Sequence, residues 1–206
     1  GRQLKYSVTE GYGAKKELLQ DLLLFTTSKE GSLASLAEYA ERMGEGQEFV
    51  YYVCADTKEQ AARLPQVERI ADKGWEILYL TDQPDQLLME VLREYRDKSF
   101  RSAVDGDLEL EDMPEEKPAE EYKEALDFVK EALGDEVDEV RVSRKLKTHP
   151  VCLTCGEGVS FEMERYFAAV QPEMGMKAKR ILELNVDHPA FAAMEDEYMR
   201  ARAADV

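Results

Sequence analysis

The chain has 206 residues, of which 44% are hydrophobic and 34% charged, so it can form one or two globular domains with buried cores. Its formal net charge of −17 argues against a nucleic-acid or anionic-membrane partner, because those surfaces bind clustered lysine and arginine. No apolar run approaches the roughly 18 residues of a membrane helix, and three cysteines do not make a disulfide framework, which favours a cytoplasmic protein.

Residues 1–104 alternate between helical and strand patterns. Two sets of apolar residues recur at helical spacing: Leu18, Leu19, Leu22, Leu23 and Phe25, then Leu33, Leu36, Tyr39, Ala40 and Met43. Strands at 49–54 and 75–80 flank a helical stretch at 57–73, and a further helix from Asp82 precedes a strand at 99–104. This β-α-β-α-β order predicts a short parallel sheet with helical crossovers.

Residues 105–121 differ in composition from both flanking regions. They contain nine acidic residues against a single lysine, together with Pro114 and Pro118. Such a run does not bury a core, so it is interpreted as a linker. A hinge between two domains is favoured over an ordinary solvated loop, because the composition changes on both sides.

Residues 122–206 begin a second pattern. A helix that Gly134 ends is followed by strands at 137–142 and 151–155 and by a helix at 159–170. A strand at 180–184 then leads into a final helix that begins at Pro189. The predicted fold class is α/β, with two small α/β domains: a parallel sheet with crossovers in the first and a mixed α+β arrangement in the second.

Three separated segments carry a family resemblance. Residues 180–191, RILELNVDHPAF, resemble the Leu-Glu-Ile/Leu-Asn-x-x-His-Pro signature near the C-terminus of the heat-shock protein 90 chaperone family, in particular its bacterial branch. Residues 24–29 with 35–43, and residues 47–52, resemble patterns of that family's middle domain. The three matches follow the family's order along nearly the whole chain, which is more specific than any one of them.

The resemblance implies that the chain is a fragment of an ATP-dependent chaperone that remodels non-native client proteins. Residues 1–104 would then be the C-terminal part of the middle domain and residues 122–206 a truncated C-terminal domain. ATP and Mg²⁺ would bind to an upstream domain of the parent, and the parent homodimer would form through helices beyond Val206. The fragment itself is expected to hold no cofactor or metal and to catalyse no reaction.

The same resemblance singles out an apolar stripe on the helix at 159–170. Its members recur at one helical face and match the family's client-facing positions: Val159, Met163, Tyr166 and Phe167. From the sequence alone core packing is the ordinary explanation of such a stripe, whereas methionine and aromatic residues also suit varied partners.

A second client-facing position of bacterial relatives corresponds to the helix after Asp82. Here Gln86 replaces an acidic residue, Leu87 a tryptophan and Glu90 an asparagine, which puts the polar part of the site in doubt. Leu87 or Leu88 could equally pack between the helix and the sheet.

Other motifs give weaker indications of a metal, nucleotide or catalytic site. Cys152 and Cys155 with His149 offer three ligands where structural zinc needs four, so ordinary strand cysteines are favoured. Gly156-x-Gly158 lacks the third glycine of a dinucleotide turn, and His188 is assigned to helix entry rather than to catalysis.

Two rival functions remain open. One is a small-molecule-binding α/β protein or enzyme, with a site at the strand ends of a sheet; it would need a convergent set of polar groups. The other is a structural spacer without a ligand of its own.

Overall fold

The computed structural model describes residues 2–29, 33–106, 108–110, 113–115 and 117–204. The helices are α1 (Arg2–Thr9), α2 (Lys16–Leu19), α3 (Leu36–Glu41), α4 (Lys58–Ala62), α5 (Glu68–Asp72), α6 (Asp85–Leu92), α7 (Lys123–Leu133), α8 (Phe161–Val170) and α9 (Pro189–Ala204). The strands are β1 (Leu24–Thr27), β2 (Leu33–Ser35), β3 (Val50–Cys54), β4 (Ile77–Leu80), β5 (Glu94–Tyr95), β6 (Lys98–Ser102), β7 (Glu139–Val142), β8 (Val151–Cys155) and β9 (Arg180–Leu184). Within these ranges no helix is long and apolar enough to cross a membrane.

The first sheet has the strand order β2-β1-β4-β3-β6-β5. Its middle strands β4, β3 and β6 are parallel, with α4 and α5 in one crossover and α6 in the other. This arrangement confirms the predicted parallel sheet with helical crossovers. Antiparallel strands β1, β2 and β5 extend the sheet at its edges, so the complete sheet is mixed.

The helical interpretation of residues 18–25 is wrong beyond Leu22. Helical turns end there, and β1 follows with Phe25 and Thr27 buried while Leu24 points outward. Pairing of β1 with both β2 and β4 decides this segment, since β-branched threonines suit a strand and sheet contacts override a helical spacing. The second helical set is also divided, because Leu33 lies in β2.

Helix α3 begins at a capping box. Ser35 Oγ accepts a hydrogen bond from the Glu38 backbone N–H at 3.2 Å, and the Glu38 carboxylate accepts one from the Ser35 backbone N–H at 2.8 Å. Two backbone donors that the first helical turn leaves unpaired are thereby satisfied. The cap fixes where β2 ends and the helix starts.

Apolar side chains fill both faces of the first sheet. The cluster on the side of α1, α3 and α6 consists of Val8, Leu23, Phe25, Leu36, Tyr39, Val50, Leu78, Leu80, Leu88, Met89, Leu92 and Tyr95. The cluster on the side of α4 and α5 consists of Tyr51, Val53, Ala61, Val67, Ile70, Ile77, Tyr79, Ala103, Val104, Leu108 and Leu110. Helices on both faces are what a buried parallel sheet requires.

The second sheet has the order β7-β9-β8, with β9 parallel to β7 and antiparallel to β8. Leu184 packs with Ala125 and Leu126 of α7 and with Phe191 of α9, which covers one face. Helix α7 ends at Gly134, whose φ of +52° lies in the left-handed region that favours glycine. The predicted mixed α+β arrangement is confirmed.

The beginning of the acidic segment is packed rather than solvated. Leu108 and Leu110 are 3% and 8% exposed and belong to the second cluster of the first sheet. The expectation that this run buries no core residue is therefore wrong for these positions. The two leucines alternate with acidic residues along the chain, and their side chains pack into the cluster. Residue 107 and residues 111–112 and 116 lie outside the described ranges. The hinge and the boundaries at 104/105 and 121/122 remain predictions.

Cations of the second half hold main-chain carbonyls of this segment. Arg141 Nη2 donates to the Gly106 carbonyl at 2.5 Å, and Lys145 Nζ donates to the same oxygen at 3.0 Å. Arg144 Nε donates to the Pro114 carbonyl at 2.9 Å. These charge-assisted bonds fix the path of the segment along the second sheet.

Candidate functional site

Helix α8 starts at Ser160, whose Oγ accepts a hydrogen bond from the Met163 backbone N–H at 3.1 Å. Glu162 and Glu164 occupy its first turn, where carboxylates interact favourably with the helix dipole. The helix ends at Val170, with Pro172 two residues later. The predicted helix at 159–170 is thus confirmed, with Val159 just before its cap.

The predicted apolar stripe lies between core and solvent. Val159, Met163, Tyr166 and Phe167 are all half-buried, and none of them belongs to the three apolar clusters formed by the described residues. The rings of Tyr166 and Phe167 meet edge to face, with centroids 5.5 Å apart. The stripe is therefore partly accessible, which a core-packing explanation does not predict.

Helix α6 is anchored at its first turn. Asp85 is 1% exposed; its Oδ1 lies 2.7 Å from Lys5 Nζ, and its Oδ2 accepts from the Asp82 backbone N–H at 3.0 Å. Burial raises the pKa of Asp85, although Lys5 favours the carboxylate and lowers it. The ion pair ties α1 to the start of α6 and orients the helix.

The two faces of α6 differ. Leu88 and Met89 are buried in the first cluster, so of the two leucines considered for the helix–sheet interface Leu88 is the one that packs there. Leu87 is half-buried and outside the clusters, and Glu90 is exposed. The side chain of Gln86 lies outside the described part of the structure.

Helices α6 and α8 pack against each other, although they belong to different halves of the chain. Glu90 lies near enough to Glu162 of α8 to contribute to the raised pKa of that carboxyl, after the larger effect of burial. The structure thus brings the two predicted client-binding segments side by side. That they bind clients remains a prediction.

A cleft of 290 Å³ opens between α8 and the carboxyl ends of β3 and β4. Its charged groups pair with each other: Arg165 Nη1 lies 3.2 Å from Asp56 Oδ1, and Arg2 Nε lies 3.9 Å from Asp82 Oδ1. This is the crevice that the small-molecule alternative predicts. Its volume is at the lower limit of ligand pockets, about 300 Å³, and its paired charges leave no convergent polar set among the described lining residues.

Sequence reasoning missed Glu162. It is the buried residue of α8, 7% exposed, and its Oε2 has no hydrogen-bond partner among the described residues. An acid in a first helical turn usually faces water, so the sequence gives no signal for its burial. Only the packing of α8 against β3 and α6 creates it.

The cysteines of β8 are buried. Burial raises the pKa of Cys152 to about 12 and that of Cys155 to about 11, which keeps both as thiols. Among the described residues no group of three or more metal-ligating side chains is close enough to hold an ion. His149 Nδ1 instead lies 3.0 Å from the Glu68 carboxylate.

His188 serves the entry of α9, as predicted: its Nδ1 accepts a hydrogen bond from the Ala190 backbone N–H at 3.1 Å. The glycine turn before α8 also has a packing explanation. A Cβ on Gly156 would lie 2.8 Å from the Cδ of Lys179, so the missing side chain makes room for that lysine.

Comparison with known proteins gives the family. The family model for Hsp90 protein matches residues 1–205. The chain is similar to chaperone protein HtpG of Clostridium perfringens, 43% identical over 197 residues, and of Alkaliphilus oremlandii, 44% identical over 202 residues. It is 42% identical to HtpG of Bacillus subtilis over 202 residues. These matches cover 95–96% of this chain and 32% of each relative, so the chain spans about a third of their length. The chain belongs to the Hsp90 family of chaperones.

Proposed function

We propose that this chain supplies a client-binding surface of an ATP-dependent chaperone and couples client contact to movements between its two halves. The observation that carries the proposal is the juxtaposition of two half-buried segments. The stripe Val159, Met163, Tyr166 and Phe167 lies along α8, and α8 packs against α6, which carries Leu87 and Glu90.

The chemistry of this surface suits varied polypeptides. Met163 is flexible and polarizable, whereas Tyr166 and Phe167 provide rigid apolar area. Partly exposed apolar residues with charged residues such as Glu90 and Arg165 on the same helices are typical of protein-interaction sites. Binding would use surface complementarity, and no bond is made or broken.

Contacts between the halves support the coupling role. Gln66 Nε2 donates to the Leu153 carbonyl at 2.7 Å, and Arg69 Nε donates to the Lys145 carbonyl at 2.8 Å. Helix α8 itself belongs to the second half and packs against α6 of the first, so a client bound to α8 would act on an element that contacts both halves of the chain.

The matched relatives are about three times as long as this chain, and we place the remaining functions in their unmatched parts. These are ATP and Mg²⁺ binding and the pairing of subunits into a homodimer. This chain itself is proposed to bind no nucleotide and no metal. The net charge of −17 is the support for excluding nucleic acid and anionic membranes, and a cytoplasmic location fits the free cysteines.

The test is a charge placed on the stripe. Phe167→Glu should weaken binding of a labelled, permanently unfolded polypeptide by at least tenfold. Burying a phenylalanine side chain away from water contributes about 1.5–3 kcal/mol to the binding free energy, and the variant loses that contribution. Ala168→Glu, which adds the same charge at the exposed neighbouring position, should bind nearly as the unaltered chain does. Fluorescence anisotropy gives the affinity and calorimetry the melting temperature.

Two results would contradict the proposal. Equal affinities for Phe167→Glu and the unaltered chain would show that the stripe does not contact the polypeptide. A large drop in melting temperature for Phe167→Glu alone would show that Phe167 is a core residue.

A further inference from the structure

Helix α8 is attached to the rest of the molecule in an unusual way. Of its ten residues Glu162 is the buried one, and its atom Oε2 is shielded from solvent without a hydrogen-bond partner in the described structure. Buried polar atoms are normally paired, because leaving one unpaired costs about 1–3 kcal/mol. The burial of Glu162 is therefore part of the contact between α8 and the first half, and it also lowers the stability of that contact.

The neighbours of Glu162 compensate this cost only in part. Hydrogen bonds from Ser160 and from its own backbone N–H and the charge of Arg165 favour the carboxylate, but burial is the larger effect and raises its pKa. Burial raises the pKa of Tyr52 and of Cys54 on β3, and the Glu162 carboxylate adds to both shifts, so both groups face it as neutral species. Glu90 of α6 adds a like charge. Arg165, on the same helix, forms its ion pair with Asp56 rather than with Glu162.

Glu164, on the same helix, has a partner for each of its carboxylate oxygens. Glu164 Oε1 lies 2.7 Å from Arg180 Nη2, and its Oε2 accepts from the Ala178 backbone N–H at 2.7 Å. Both partners belong to the second half of the chain. Helix α8 is thus bonded to the second half through Glu164. Its contacts with the first half include the exposed Arg165–Asp56 pair and Phe161 against the second cluster, and there the unpaired oxygen of Glu162 opposes docking.

We propose that Glu162 is a positioning residue of the client-binding surface, which keeps α8 weakly docked so that the helix separates from the first sheet when it takes up a client. This inference rests on the proposed function. Separation frees the face of Met163, Tyr166 and Phe167 that is half-buried in the docked position.

The inference has a quantitative consequence. When only a fraction of molecules is competent to bind, the apparent dissociation constant rises in inverse proportion to that fraction. Removal of an unpaired buried carboxyl should strengthen docking of α8 on the order of tenfold. The fraction of molecules with an undocked helix, and with it the client affinity, should then fall by the same factor.

Glu162→Met tests this, because it keeps the length of the side chain and removes the carboxyl. Backbone amides of Phe161–Val170 should exchange hydrogen about tenfold more slowly, and affinity for the labelled unfolded polypeptide should fall by about the same factor. Glu162→Gln should shift both quantities in the same direction by less. Glu157→Met, at an exposed position before the helix, is the matched control and should change neither.

The outcomes separate the two proposals. Slower exchange with unchanged affinity, while Phe167→Glu still loses binding, overturns the role of Glu162 and leaves the proposed function intact. Faster exchange in Glu162→Met shows that the carboxyl stabilises docking and overturns the inference directly. Unchanged binding in Phe167→Glu overturns the proposed function, and the client role of Glu162 with it.

Discussion

Glu183 organises the face of the second sheet that contacts the acidic segment. It is 1% exposed, and its carboxylate lies 2.6 Å from Arg141 Nη2 and 2.8 Å from Ser143 Oγ. Lys145, also buried, lies 3.8 Å away. Glu183→Ala leaves two cations without their carboxylate and should lower the free energy of unfolding by about 3–5 kcal/mol, measured in urea.

The control for Glu183 is Glu139→Ala on the neighbouring strand. Glu139 pairs with Lys179 at 3.1 Å, but both side chains are about half exposed, so the loss should stay below about 1 kcal/mol. Equal losses in the two variants would show that burial of the Glu183 network adds nothing to stability.

The three cysteines predict slow thiol chemistry. A thiolate is the reactive form, and burial raises the pKa of Cys54, of Cys152 and of Cys155 above the ordinary value, so at pH 8 all three stay protonated. Reaction with an aromatic disulfide reagent at pH 8 should be roughly a hundredfold slower in the native chain than in urea. A rapid reaction of one thiol in the native chain would show that its site is open.

At the residue scale the sequence predicts positions that local rules decide. His188 before Pro189 marks a helix entry, and Cys152 and Cys155 lie in a strand, because cap chemistry and strand patterns act over a few residues. Glu162 follows no local rule. Its burial depends on β3, more than 100 positions earlier in the chain, and on α6.

Secondary-structure elements show the same division. Strands β3 and β4 follow from apolar, β-branched and aromatic runs, whereas Phe25 of β1 is predicted to be helical because it continues the helical spacing of the leucines before it. Partners on both sides make β1 a strand, and those pairings cannot be read from residues 18–25 alone. The sequence pattern predicts α6 and α8, the resemblance to a family marks both as client-facing, and the structure adds that the two helices are neighbours.

The packed start of the acidic segment gives a prediction at the element scale. Leu108→Ala should lower the free energy of unfolding by about 2–5 kcal/mol, since Leu108 is 3% exposed within an apolar cluster. Leu18→Ala is the control, because Leu18 is 79% exposed and its loss should stay within about 0.5 kcal/mol. A neutral Leu108→Ala would restore the interpretation of residues 105–110 as a solvated linker.

On the scale of the whole molecule the two halves meet through polar contacts between residues far apart in sequence. Glu68 of α5 accepts hydrogen bonds from the backbone N–H groups of Lys147 and Thr148, both at 3.3 Å, and lies 3.0 Å from His149 Nδ1. Hydrophobic periodicity carries no information about such pairs, so the sequence predicts two domains and a linker but not how the halves touch.

Gln66 and Arg69 provide the last prediction. Each donates to a main-chain carbonyl of the second half, at 2.7 Å to Leu153 and at 2.8 Å to Lys145, so their joint replacement by alanine leaves both acceptors to water. The distance between dyes on the two halves, followed by single-molecule energy transfer, should broaden in the double variant. The melting temperature should change little, because neither side chain belongs to an apolar cluster of the described residues. Arg63→Ala, at an exposed position between α4 and α5, should leave the distribution as it is.

A narrow, unchanged distribution in the double variant would mean that the acidic segment and the contact of α6 with α8 hold the halves together without these bonds. Coupling between client contact and domain movement would then run through α8.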